Sequence, residues 1–221
     1  SLQPSMPFDT ARDLSGVIMN SVAHLVLLSS PSLPVSNIAD VIALAKKEPG
    51  KLNYASAGTG SSMHLAGELL KVVGGVDIVH VPYKGGGPAM IDVMSGRVPL
   101  MFNPLYASIP YMKGGKLKAI AVASPQRAIT HPDLPAIAET LPGFDVRSWN
   151  GMVVPSATPR AVVRKMNADV ATLLKRADFR GKLGESGLEP VGNTPEQFDA
   201  IIRAEIDKWA PIVKASGAKP D

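Results

Sequence analysis

The residues best suited to chemistry lie between Leu52 and Glu68, where the chain reads Leu-Asn-Tyr-Ala-Ser-Ala-Gly-Thr-Gly-Ser-Ser-Met-His-Leu-Ala-Gly-Glu. A β-prone run gives way to a turn with two glycines and three hydroxyls, and then to an amphipathic helical pattern. The first turn of a helix leaves backbone N–H groups without intrahelical acceptors. Thr59, Gly60, Ser61 and Ser62 therefore make a candidate seat for a carboxylate or a phosphate, with the serines able to cap the helix or to donate hydroxyls to a ligand. A capped helix after a tight turn, with no ligand, fits the same residues.

Two further loops belong with it. Lys84-Gly-Gly-Gly87 follows the next expected strand and leads into a short helix opened by Pro88, so Gly85 and Gly86 offer a second set of exposed N–H groups or simply a surface turn. Asn103 follows the strand after that. Open α/β sheets present their crevices at the carboxyl ends of strands. Three such loops with N–H groups, hydroxyls and one carboxamide, but no paired acid and base, read as a binding cleft with no catalytic residue.

Other chemistries fit poorly. A dinucleotide fingerprint needs a third glycine where Met63 stands, and Asp77 begins its strand where a ribose-binding acid belongs at the far end. The lysine of a phosphate loop is missing after the last glycine of either turn, and Gly60-Ser-Ser-Met-His64 does not form a nucleophile elbow. His24, His64, His80 and His131 show no metal-ligand spacing, so neither a metal nor a cofactor is expected. With no cysteine there is no disulfide or thiolate chemistry. A formal charge of +4 without charge runs, and few aromatics, argues against nucleic acid. No apolar run is long enough to span a bilayer, and Ser1 to Phe8 lacks a charged start followed by an apolar stretch.

The elements that must position these residues alternate. Val17 to Ser29 reads as a strand buried on both faces. Ser36 caps a helix with Ile38, Val41, Ile42 and Ala45 on one stripe, and a later helix shows Leu65, Leu69, Val72 and Val73, ending at Gly74-Gly75. Strands are expected near 52–56, 77–83, 98–102 and 117–123, with Asn103-Pro104 breaking the third, and a helix over 105–113. Short crossovers of this kind imply a mainly parallel sheet. Beyond 124–144, which is irregular apart from a helical 136–141, Val146 to Val154 reads as a strand. Thr158-Pro159 opens a helix with Val162, Val163, Met166, Val170, Leu173 and Leu174 on one side, and Asp178 caps a shorter one. Thr194-Pro-Glu-Gln197 spells a capping box ahead of a final helix with Phe198, Ile201, Ile202, Ile206, Trp209 and Val213.

Taken together, the segments Leu52 to Glu68, Val79-His-Val-Pro-Tyr-Lys-Gly86 with Pro88-Ala89, Val98-Pro-Leu-Met-Phe102, Gly115-Lys-Leu-Lys-Ala119, Leu141-Pro-Gly-Phe144, Trp149-Asn-Gly151 and Ile202 to Trp209 resemble the Bug or tctC-like solute-binding proteins of tripartite tricarboxylate transporters. The resemblance covers nearly the whole chain. It implies an α/β, two-lobed periplasmic-binding-protein type II (Venus flytrap) fold, with residues 1–25 and 148–221 in a first lobe and 26–147 in a second. It also implies a periplasmic receptor that closes on a small carboxylate ligand and presents it to membrane permease subunits, with a signalling protein as a further partner. An α/β enzyme acting on a small anionic substrate is the alternative.

Relatives of this kind begin with a further strand and a proline- and glycine-rich loop that grips the solute. The first lobe is therefore expected to be incomplete here, with open hydrophobic edges, and ligand binding by this chain to be weak or absent. In the second lobe, Thr59, Gly60, Ser61 and Ser62 resemble the family's carboxylate seat, and Gly85 and Gly86 follow the second strand. Many relatives carry an aspartate where Asn103 stands. A neutral carboxamide lacks the charge-assisted bond to an amine, so the expected ligand is a di- or tricarboxylate or an aromatic acid.

Overall fold

The computed structural model describes residues 6–218. In chain order the elements are α1 (Thr10–Asp13), β1 (Leu14–Ser29), α2 (Ile38–Lys47), β2 (Asn53–Ser56), α3 (Ser62–Gly74), β3 (Val79–Pro82), α4 (Gly86–Met94), β4 (Leu100–Pro104), α5 (Leu105–Lys113), β5 (Lys118–Val122), β6 (Arg147–Pro155), α6 (Arg160–Lys175), α7 (Ala177–Glu185), β7 (Leu188–Pro190) and α8 (Pro195–Ser216). They form two compact units. A continuous unit comprises His24–Ser148, and a split unit joins the residues before it, up to Ala23, to Trp149–Ala215.

The continuous unit is built on a sheet of order β3-β2-β4-β1-β5. β2 runs parallel to β3 (Tyr54 opposite His80) and to β4 (Tyr54 opposite Leu100). The C-terminal half of β1 is antiparallel to both neighbours, with Leu25 opposite Pro104 and Val26 opposite Val122. The sheet is thus mixed, not mainly parallel. The reversal comes from one long strand entering between two strands that belong to βα units, an arrangement local patterns do not announce.

Val26, Leu28, Ala55, Val93, Met101 and Val122 are wholly or almost wholly buried in one cluster beneath α4 and α5. Burying a side chain of this size contributes about 1.5–3 kcal/mol relative to leaving it exposed. The strand expected to break at Asn103-Pro104 continues through Pro104, because its antiparallel partner pairs with both residues. Helix α2 starts one residue later than expected: Asn37, not Ser36, is the cap, its side chain accepting the amide of Asp40 at 2.9 Å.

In the split unit the N-terminal half of β1 pairs with β7, Ser21 opposite Pro190, and β1 also pairs with β6. Phe198, at the start of α8, is fully buried with Met19 and Val22. Its ring lies against Gly16 and Gly151, where an added Cβ would approach it to 2.9 and 2.2 Å. The capping box forms as spelled: Thr194 N–H donates to Gln197 Oε1 at 3.0 Å, and Gln197 N–H to Thr194 Oγ1 at 3.2 Å. Asp178 does not cap α7. That position belongs to Arg176, which pairs with Asp178 at 2.7 Å.

Candidate functional site

Because β2, β3 and β4 are mutually parallel, the turns that follow them emerge at one edge of the continuous unit. Gly85 N–H donates to Ala57 O at 3.2 Å, which ties the second turn to the first. A Cβ on Gly86 would stand 3.2 Å from both Asn103 Oδ1 and Met63 Cε, so the three loops meet at Gly86. Three backbone positions there demand glycine: Gly58 has φ 126°, Gly60 φ 81° and Gly85 φ 111°.

The seven residues expected at this site divide by what their polar groups already do. Ser61 is the cap of α3: its hydroxyl donates to Gly58 O at 2.7 Å and accepts from His64 N–H at 3.2 Å. Gly60 N–H donates to His64 Nδ1 at 3.1 Å. Gly85 N–H is held by Ala57. These three shape the corner and have nothing left to donate from those groups. Among the described residues, Thr59, the amides of Ser62 and Met63, the hydroxyl of Ser62 and the amides of Gly86 and Gly87 make no hydrogen bond within the chain. They are the open donors, and all but Thr59 lie in the first turns of two helices.

Asn103 is 2% exposed. Its Nδ2 donates to Ser108 Oγ at 2.9 Å, and Ser108 in turn donates to Pro104 O at 2.9 Å. The NH2 edge of the carboxamide is therefore committed to the protein, and Oδ1 is the atom turned toward Gly86. Gly86, Gly87 and Asn103 line an open cavity of about 680 Å³ whose other walls include Met63, Met90 and Tyr111.

Behind the turn lies a polar cluster that sequence reasoning missed. His64 and Glu68 are 3% and 4% exposed on α3. Glu68 accepts from Tyr54 OH at 2.8 Å and pairs with Lys71 at 3.1 Å. The His64 ring lies 4.0 Å from that of His80, which contacts Ser56 Oγ at 2.6 Å through Nε2 and stacks on Tyr54. Ser56 Oγ also accepts Gly58 N–H at 3.1 Å, so the cluster grips the turn from below.

Burial holds the His64 pKa below its ordinary value, opposed by Glu68 and assisted by Lys71. Burial, then His64 and Lys71, push His80 down to about 4. Both rings are neutral at neutral pH. Since His64 Nδ1 accepts from Gly60, its proton sits on Nε2, facing Glu68 Oε1 at 3.8 Å. The spacing of His64, Glu68 and Lys71 on one helix face is the signal in the sequence that points to the cluster. Of the apolar stripe expected through Leu65, Leu69, Val72 and Val73, only Leu69 is buried: Leu65 and Val73 are half-buried, Val72 is 58% exposed, and α3 also buries Met63, Ala66, Gly67 and Leu70.

Among the described residues no group of three or more His, Asp or Glu is placed to hold a metal ion, and no helix is long and apolar enough to cross a membrane.

The chain matches the family described as "Tripartite tricarboxylate transporter family receptor" over residues 2–218. Rpa4515 from R. palustris, solved with adipate, is 36% identical and superposes with a TM-score of 0.86 over 100% of this chain and 74% of its own. MatC from Rhodopseudomonas palustris, solved with bound malate, is 30% identical with a TM-score of 0.80 over 96% and 74%. The periplasmic binding protein BugD is 30% identical with a TM-score of 0.79 over 97% and 73%. The chain spans about two thirds of the length of most curated relatives it matches, among them 63% of one from Pseudomonas sp. (strain P51) and 68% of one from Bordetella pertussis, each 32% identical. The fold is that of periplasmic solute-binding proteins, and the family is one of receptors, not enzymes.

Proposed function

We propose that this chain, which belongs to the tripartite tricarboxylate transporter receptor family, is the part of a periplasmic receptor that takes a small carboxylate at the corner formed by the first turns of α3 and α4. One observation carries the reading: adjacent helices open at the same sheet edge with the amides of Ser62, Met63, Gly86 and Gly87 unclaimed. Amides fixed in a first turn favour an anion without reorganising. Adipate and malate in the two solved neighbours support a dicarboxylate over a phosphate. Their binding, and the family's receptor role, also support delivery of the solute to membrane permease subunits, with a signalling protein as a further listener.

The residues sort into two tasks. Ser61, Gly60 and Gly85 hold the corner's shape, while Thr59, Ser62, Gly86 and Asn103 face the solute. An apolar wall of Met63 and Met90 suits a methylene chain.

Thermal unfolding followed by tyrosine near-UV circular dichroism tests the reading, because all four tyrosines lie between 54 and 111. Adipate at high-millimolar concentration is expected to raise that midpoint, with binding weak but not absent, because the open amides all lie in the continuous unit. A ligand bound only to the folded state stabilises it by mass action. The uncharged dimethyl ester is expected to leave it unchanged. Equal shifts with acid and ester, or no shift at high-millimolar adipate, would overturn the reading.

A further inference from the structure

We propose that Asn103 selects for a ligand hydroxyl: the site prefers a small carboxylic acid bearing a neutral hydrogen-bond donor over the same acid without one. The inference rests on the carboxylate reading above and adds to it the chemistry of the second contact.

The direction of one hydrogen bond decides which edge of the Asn103 amide meets the cavity. The Ser108 hydroxyl donates its proton to Pro104 O at 2.9 Å, so toward Asn103 its oxygen can only accept. That fixes Nδ2 of Asn103 on Ser108, at 2.9 Å, and leaves Oδ1 on the cavity side beside Gly86. Among the described residues nothing donates to Oδ1, and although most of the side chain is buried this atom opens on the cavity and is not sealed in the core. A ligand that displaces water from it without offering a donor leaves it unpaired.

The donor's identity follows from the walls. A second carboxylate would bring an acceptor against an acceptor. An ammonium would enter a cavity whose lining includes Met63, Met90, Ile91 and Met94 and contains no acidic side chain, so its desolvation would go uncompensated. A hydroxyl donates, carries no charge and fits beside methionine side chains.

The test compares succinate with malate, four-carbon dicarboxylates that differ by one hydroxyl, by calorimetric titration of the 221-residue chain. Malate is expected to bind about tenfold more tightly, the scale of one acceptor that succinate dehydrates and leaves unpaired. Asn103→Leu, of similar size, is expected to bring the malate-to-succinate affinity ratio to about one, whatever it does to the two affinities separately. Ser108→Ala leaves Nδ2 only its longer bond to Pro104 O at 3.4 Å, which loosens the amide's orientation, and is expected to narrow the malate preference even if the leucine variant does not fold.

Equal affinities in the unsubstituted chain, or a preference that survives both substitutions, would overturn the inference with the carboxylate reading intact. Failure of both acids to bind would overturn the carboxylate reading itself, and the inference with it. A purely structural role for Asn103 would shift both acids together and leave their ratio unchanged, which also counts against the proposal.

Discussion

Helix α3, with thirteen residues, buries eight of them, whereas α6, with sixteen, buries only Val163 and Leu174, and α7 buries none. The contrast runs through both units. In the continuous unit, Tyr54, Leu100, Met101 and Phe102 are inaccessible, and polar side chains are drawn inside with them. In the split unit, every residue of β6 is exposed or half-buried, although both units turn large apolar side chains outward, Val153, Val162, Leu173, Phe179 and Ile206 in this one and Val72, Val79, Ile91, Tyr106 and Ile129 in the other. Helix burial is therefore densest on α3, which carries the first of the two turns proposed to receive a ligand. A first-turn amide is useful to an anion only if its turn does not move, and Glu68, His64, His80 and Ser56 hold that turn from beneath.

The comparison can be probed unit by unit, because both tryptophans, Trp149 and Trp209, lie in the split unit and all tyrosines in the continuous one. The largest effect is expected at Gly67, where a Cβ would stand 2.1 Å from the Tyr54 ring. Tyr54 is held on a central strand and hydrogen-bonded to Glu68, so it cannot step aside. Gly67→Ala is expected to cost about 3 kcal/mol in the tyrosine-reported transition. The matching change, Gly151→Ala, meets the far end of the Phe198 ring at 2.2 Å. It is expected to cost less, and to register in Trp149 fluorescence because that indole stands edge-on to Phe198 at 5.4 Å. Equal costs would mean that the two cores are equally unyielding.

Next in size is Glu68→Ala, which strips a partner from Tyr54 OH and from Lys71 in a buried setting. A loss of about 2 kcal/mol is expected in chemical denaturation read by tyrosine, with the tryptophan signal unmoved.

Acid separates the units without mutation, since all four histidines lie in the continuous unit. His80 has its pKa lowered from 6.5 to about 4, so between those values the unfolded chain binds its proton more readily. Its contribution to stability is full above pH 6.5, declines as pH falls toward 4, and levels off below. In the split unit Asp13 is lowered to about 2, chiefly by its hydrogen bond from Arg12, so its contribution is present above 3.8 and lost between 3.8 and 2. Denaturation midpoints measured from pH 7 to 4 are expected to fall by tyrosine and hold by tryptophan. His80→Gln should flatten the tyrosine curve.

The smallest effect is a cap. Thr194→Ala opens the box at the start of α8 and is expected to cost about 1 kcal/mol, visible in Trp209 fluorescence during urea titration.

Features set by near neighbours are legible in the amino-acid sequence. The range 105–113, the end of α3 at the left-handed Gly75 and the Thr194–Gln197 box all follow from residues a few positions apart. The meeting of the Thr59–Ser62 turn with Gly86 is implied by three consecutive strand ends. What escapes a reading of the sequence depends on residues distant along the chain. The antiparallel entry of β1 between β4 and β5 is decided by pairing across roughly a hundred residues. His64 and His80 come face to face only because β2 and β3 are in register at Tyr54 and His80. The direction of the Asn103 amide depends on a serine one helical turn into α5, which no motif marks.

The central claim, that a carboxylate is received by first-turn amides of α3 and α4, is tested most directly by amide 1H–15N shift mapping during an adipate titration of the 221-residue chain. Saturating shifts are predicted at Ser62, Met63, Gly86 and Gly87, with Gly60 moving least because His64 already holds its N–H. Shifts centred anywhere else, or none at those four amides at high-millimolar adipate, would contradict it.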